Sequence, residues 1–165
     1  MTNEQVKSRL IEKFGESLTT FEESYGMLSF HAPKELNLKV LQFLFDDEAL
    51  EFRFLTDITA VHYPNQAGAE LAVVYHLQNL RTRTRLRFKV FTSVADPKVF
   101  TATKLYESAN WMERETYDFY GVNFVGHPNL IRILNVDEMD YFPMRKEFPL
   151  EDQTRIDKDD DMFGR

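Results

Sequence analysis

Residues 52–92, FRFLTDITAVHYPNQAGAELAVVYHLQNLRTRTRLRFKVFT, decide the fold class. Three runs rich in β-branched and aromatic residues stand here, separated by turn chemistry: Phe52–His62, Glu70–Leu77 and Thr84–Thr92. Runs of this length and composition read as strands. Within the third run and just before it, Arg81, Arg83, Arg85, Arg87 and Lys89 alternate, with Leu86, Phe88 and Val90 between the last of them. Side chains on a strand alternate faces, so the cations line one side and the apolar residues enter a core.

Upstream the period changes. Val6, Leu10, Ile11 and Phe14 recur at helical spacing, which predicts an amphipathic helix over 3–15 ending at Gly15. Residues 17–23 and 27–31 predict two short strands around a Tyr25–Gly26 turn. Pro33 opens a second helix with Leu36, Val40, Leu41, Leu44 and Phe45 on its buried stripe. The order αββαβββ predicts an α+β fold, a two-layer domain with helices on one face of a sheet. A further helix is expected from Ala102 to Tyr120, stopped by Gly121. Residues 1–121 are thus read as the core domain. Residues 122–165, punctuated by Gly126, Pro128, Pro143 and Pro149, are read as an extended arm and tail that order by contact. The last fifteen residues hold six acids and three bases, which suits solvent or a basic partner.

Composition narrows the function. The net charge of −7 argues against a general nucleic-acid binder, which would lean basic. With no cysteine there can be no disulfide, thiol nucleophile, Cys-ligated zinc or Cys-ligated iron–sulfur cluster. The first sixteen residues carry charge throughout and lack the apolar region of a signal peptide. The longest apolar runs, such as VLQFLF, are far short of the ~20 residues that span a bilayer. Any membrane attachment is therefore expected to be indirect. "GVNFVGHP" has the outer spacing of a phosphate loop, but His127 and Pro128 stand where Lys and Ser or Thr are required. His31, His62, His76 and His127 are scattered, and no nucleophile motif occurs. The basic row on the third strand suits a solvated face, or the grip of an acidic protein.

The densest cluster of polar chemistry is "ANWMERETYDFYGVNFVGHPNLIRIL", residues 109–134. On a helix Trp111, Glu115 and Asp118 share a face, and Arg114 and Asp118 are placed for an ion pair. Glu113 lies about 200° around from Glu115, poor geometry for a shared metal. The expected catalytic, cofactor and metal sites are therefore none. The cluster reads as structural and interfacial, with Trp111, Tyr117, Phe119 and Tyr120 as apolar anchors.

These residues resemble the C subunit of bacterial NADH–quinone oxidoreductase (respiratory complex I), the 30-kDa subunit family. The resemblance lies in Glu113-Arg114-Glu115, Asp118, Phe119, Tyr120 and His127, then Pro143, Arg145 and Lys146. "LTDITAVHYP" (Leu55–Pro64) and "VVYHL" (Val73–Leu77) add to it. One departure is Ile131 before Arg132, where the family usually has two basic residues in a row. The resemblance implies that the sheet of the αββαβββ domain is mixed. It implies a peripheral-arm subunit on the cytoplasmic side of the inner membrane, without catalytic residues of its own. It implies no cofactor in this chain, with FMN, iron–sulfur clusters and quinone held by other subunits. The implied partners are the D subunit (49-kDa type), which shapes the quinone site, and the B subunit. It implies structural or interface roles for Trp111, Glu113, Arg114, Glu115, Asp118, Tyr120, Gly121, His127, Pro128, Arg132, Pro143, Arg145 and Lys146. Arg114 and Asp118 are expected to pair, Trp111 and Tyr120 to pack as anchors, and His127–Pro128 to fix the turn into an arm that is loose until bound. An equivalent subunit of a ferredoxin-linked dehydrogenase or membrane-bound hydrogenase, or a stand-alone protein-binding module, are the other readings.

Overall fold

The structure, a computed structural model, describes residues 1–149; the acidic tip expected at the end of the chain lies outside the described residues. Helix α1 (Asn3–Phe14) opens on a reciprocal cap: the Thr2 hydroxyl accepts from the Gln5 N–H, and the Gln5 side chain accepts from the Thr2 N–H. Strands β1 (Thr19–Ser24) and β2 (Met27–Ala32) form a hairpin. One 3₁₀ turn after Pro33 leads into α2 (Asn37–Asp46). Strands β3 (Phe54–His62), β4 (Leu71–Gln78) and β5 (Arg85–Thr92) complete a five-stranded sheet in the order β1-β2-β5-β4-β3. The β2–β5 pair is parallel and the others antiparallel, so the sheet is mixed, as the family resemblance implies. A parallel pair needs a long crossover, and α2, β3 and β4 supply it.

Register builds the core in rows across the sheet. Leu28, Leu86 and Leu77 form one row; Phe30, Phe88, Tyr75 and Ile58 the next; Ala32, Val90, Val73 and Ala60 a third. All are buried. In the middle row Phe30 stacks on Phe88 at 5.4 Å and Phe88 on Tyr75 at 4.7 Å. Phe21 of β1 extends the stack at 5.4 Å from Phe30. Val6 and Leu10 of α1, with Val40, Leu41 and Leu44 of α2, close this face. Phe52, buried just before β3, joins the same core.

On the opposite face Arg85, Arg87 and Lys89 alternate outward as expected. Arg81 and Arg83 do not join them: both lie in the β4–β5 turn, where Arg81 pairs with Glu51 at 2.8 Å. Arg83 there has φ +59°, a turn conformation that breaks strand alternation.

The third helix is shorter than the sequence suggests. Residues 102–108 form turns, and α3 runs Ala109–Tyr120. The Ala102 N–H goes to the Glu113 carboxylate, which ties the turns before α3 to the helix. Two three-residue strands have no sequence signal at this length: β6 (Lys98–Phe100) and β7 (Asn123–Val125), which pair in parallel. They bring residues 123–125, read from sequence as arm, into a small second sheet. The face of α3 toward the domain packs on β3, where the buried Thr116 hydroxyl reaches the Ile58 carbonyl at 3.2 Å.

Because Phe88 lies inside the aromatic row on a central strand, Phe88→Ala should cost about 3–5 kcal/mol of stability. Urea unfolding followed by circular dichroism checks this; a loss below about 1 kcal/mol would contradict the packing described.

Candidate functional site

The residues singled out by sequence converge where α3 ends. Asp118 is fully buried at the centre. Its Oδ2 accepts the backbone N–H groups of Ile133, Leu134 and Asn135 at 3.0, 2.8 and 3.0 Å. Its Oδ1 accepts Arg132 Nη1 at 2.7 Å and Asn135 Nδ2 at 2.9 Å. Burial alone would raise this carboxyl. The bonds from Asn135, Leu134 and Arg132 outweigh burial and hold it far below the usual carboxylate range.

The pair expected between Arg114 and Asp118 is therefore not made. Asp118 pairs with Arg132. Arg114 instead lies over the Trp111 ring, 4.8 Å from its centroid, and donates to the carbonyls of Ile131 and Arg132. The physical reason is donor number: the incoming arm offers Asp118 three convergent N–H groups, a side-chain amide and a guanidinium, whereas Arg114 offers a guanidinium alone.

The arm returns the bonds by capping the helix. The last carbonyls of a helix have no partner within it. Here Gly121 N–H meets the Tyr117 carbonyl, Arg132 Nη1 that of Asp118, Met144 N–H that of Phe119, and Arg145 Nε that of Tyr120, at 2.8, 2.9, 3.1 and 2.8 Å. Two guanidinium groups at a helix C-terminus also suit its dipole. Arg132 further ties Met139 and Tyr141 through their carbonyls. Phe142 sits between the two guanidinium groups, 5.2 Å from Arg132 and 4.7 Å from Arg145, with its edge to Tyr117. Gly121 makes this approach possible. It holds φ +77°, and a Cβ there would lie 2.5 Å from the Phe142 ring.

Histidines fasten both ends of the arm. His127 Nδ1 accepts the Asn129 N–H at 3.0 Å, which leaves Nε2 to donate to the Asn110 carbonyl at 3.1 Å. Burial, then the nearby Arg114 charge, lower the His127 pKa against the bond to Asn110, in keeping with the neutral ring. His62, at the end of β3, accepts the Lys146 N–H at its Nδ1, with Glu147 3.3 Å away.

Glu113 faces the other way. It is fully buried, and its carboxylate accepts the Thr101 hydroxyl and the Ala102 N–H, both at 2.6 Å. Burial pushes its pKa up to about 7 against those two bonds. Glu115 is exposed, so the two glutamates diverge as their spacing requires. Among the described residues no three His, Asp or Glu side chains gather where they could hold a metal ion. Trp111 is 63% exposed, Tyr120 half-buried, and Pro128 and Lys146 exposed; Pro143 is half-buried within the arm. Ile131, at the unusual position, is 50% exposed and offers only its carbonyl to Arg114. Sequence reasoning missed Asn135, Phe142, Thr101 and Thr116. Their partners lie at sequence separations that carry no motif.

A two-layer α+β domain with a strapped C-terminal arm is the class that this geometry defines. Residues 30–154 match the family model described as respiratory-chain NADH dehydrogenase, 30 Kd subunit. The chain belongs to that family. It is 40% identical over 153 residues to the C subunit of NADH-quinone oxidoreductase from Citrifermentans bemidjiense, covering 93% of each chain. It is 43% identical over 125 residues to the same-named protein from a Nocardioides species, covering 76% of this chain and 50% of the relative, so it spans half the length of that protein. Among solved structures, the trypsin-resistant fragment of Nqo5 aligns with TM-score 0.65 and 31% identity, covering 76% of this chain and 99% of the fragment. A chain of an archaeal membrane-bound sulfane sulfur reductase aligns with TM-score 0.74 and 26% identity, covering 89% and 85%.

Asp118→Asn keeps the shape but puts an amide against a shell of donors. It should cost about 3–5 kcal/mol, the usual result of removing one partner from a buried charged network, and should open the chain to trypsin beyond Gly121. The depressed folded pKa makes the Asp118 contribution fully present above the unfolded value of ~3.9, and it is lost only as pH falls through the lower folded one. Glu113 has the opposite sign. Its folded pKa is raised, so its contribution is present below about 4.5 and is lost as pH rises through about 7. Glu113→Gln should flatten the fall in stability between those pH values, read as urea midpoints; an unchanged slope would contradict the assignment.

Proposed function

We propose that the chain is a structural subunit of the peripheral arm of a proton-pumping NADH–quinone oxidoreductase. In this reading it carries no cofactor and no catalytic residue. FMN, iron–sulfur clusters and quinone belong to other subunits of the assembled enzyme. The arm beyond Gly121 docks on the 49-kDa-type D subunit, which shapes the quinone site, with the B subunit nearby. The chain meets the membrane only through partners on its cytoplasmic side. The observation that carries this is family membership over residues 30–154. The strap of α3 supports it, since both guanidinium groups and the central carboxylate are engaged in positioning backbone. No helix among the described residues is long and apolar enough to cross a membrane.

A second reading has its own support. The likeness to a chain of an archaeal respiratory membrane complex with a different named reaction suits a subunit that one architecture uses with several electron donors. The equivalent subunit of a ferredoxin-linked dehydrogenase or membrane-bound hydrogenase fits the same residues. Native electrophoresis of mild-detergent membrane extracts, stained in-gel for NADH oxidation, separates the readings. Co-migration with a large stained particle is expected. A large unstained particle would favour the second reading, and a free species of about the chain's own 19.5 kDa would overturn both.

A further inference from the structure

The outer surface of α3 and the arm carries several exposed apolar side chains. Trp111, Ile131, Leu134 and Val136 are 63, 50, 63 and 63% exposed. Three of them are tied to one stretch of α3: Arg114 lies over Trp111 and donates to the Ile131 carbonyl, and Leu134 is held through its N–H by Asp118; Val136 follows two residues on. The backbone beneath this ridge is already bonded. The N–H groups of 133, 134 and 135 point inward to Asp118, and the carbonyls of 131 and 132 take Arg114. A partner cannot add a strand here, and recognition falls to side chains.

Rigid, exposed apolar side chains on a fixed backbone are what a binding anchor needs, because little ordering remains to be done on contact. Trp and Arg are also among the residues most enriched at interface hot spots. The rim supplies the second half of the description. Glu115, Asp137, Glu138 and Asp140 lie beside the ridge, and none forms an ion pair among the described residues. The nearby cations, Arg114 and Arg132, are engaged by Trp111 and Asp118. The surface offered is apolar at its centre and acidic at its edge.

We infer that this ridge seats in an apolar groove of a neighbouring subunit whose rim carries Lys or Arg. This rests on the reading of the chain as a subunit of a larger particle, and it adds which residues dock and the chemistry of the surface that takes them. Acidic rims set orientation and on-rate, and apolar anchors hold the complex.

The test replaces the native chain in its own cells with Trp111→Ala, Leu134→Ser or the triple Asp137→Asn, Glu138→Gln, Asp140→Asn. Retention in the large particle is then measured in membrane extracts at low and at raised salt. Leu80→Ser is the control, since Leu80 is 63% exposed in the β4–β5 turn, away from the arm. The purified variants should unfold at the urea midpoint of the parent. Trp111→Ala and Leu134→Ser should reduce retention at least tenfold. The triple variant should weaken retention at low salt and remove most of its salt dependence, and Leu80→Ser should change nothing. Full retention of the ridge variants in a particle that holds the parent chain would overturn the inference and leave the subunit reading standing. Equal loss from Leu80→Ser would overturn it as well. Absence of the parent chain from any particle would overturn the subunit reading itself, and the inference with it.

Discussion

One carboxylate organises the C-terminal third of this molecule. Asp118 is buried where an unpaired charge would be expelled or neutralised. It stays ionised because five donors surround it, and all five belong to residues 132–135. The interaction is reciprocal. The arm satisfies the buried charge, and the charge gives the arm a fixed conformation there without a helix or strand. The C-terminal carbonyls of α3 then find their partners in the same arm, so the helix and its strap stabilise each other. Neither would be satisfied alone.

The acids of α3 show how position sets role on one helix. Glu113, Glu115 and Asp118 have similar intrinsic chemistry. Glu113 is buried with only two donors, and its pKa rises. Asp118 is buried with five, and its pKa falls. Glu115 remains in solvent. A donor set large enough to outweigh burial separates a carboxyl that anchors a chain from one that resists ionisation. The result is a surface on which polar chemistry is turned inward and apolar side chains are turned out.

Much of the fold was legible in the sequence because its signals are local. The alternation Leu86, Phe88, Val90 against Arg85, Arg87, Lys89 is a strand pattern, and Val40, Leu41 and Leu44 are a helix stripe. The α+β class follows from their order, and the mixed sheet from the family resemblance. What was not legible depends on distant partners. Three-residue strands such as β6 and β7 exist only because they meet. The turns before Ala109, tied to α3 through the bond from the Ala102 N–H to Glu113, carry no local signal that separates them from the helix. Arg114 and Asp118 have helix-neighbour spacing, yet Asp118 takes Arg132, fourteen residues on, because that segment brings more donors. In the cluster 109–134 the helix and the divergence of Glu113 from Glu115 were legible, and the partner of each side chain was not.

The central claim is that the arm is folded on α3 by Asp118 before any partner arrives, so that the outer ridge is presented rather than assembled on contact. Amide hydrogen exchange at Ile133, Leu134 and Asn135 in the isolated full-length chain tests this directly. The account predicts strong protection at all three, lost together in Asp118→Asn. Exchange at unprotected rates in the parent chain would mean that the arm is loose until bound, and the account of the clasp would be wrong.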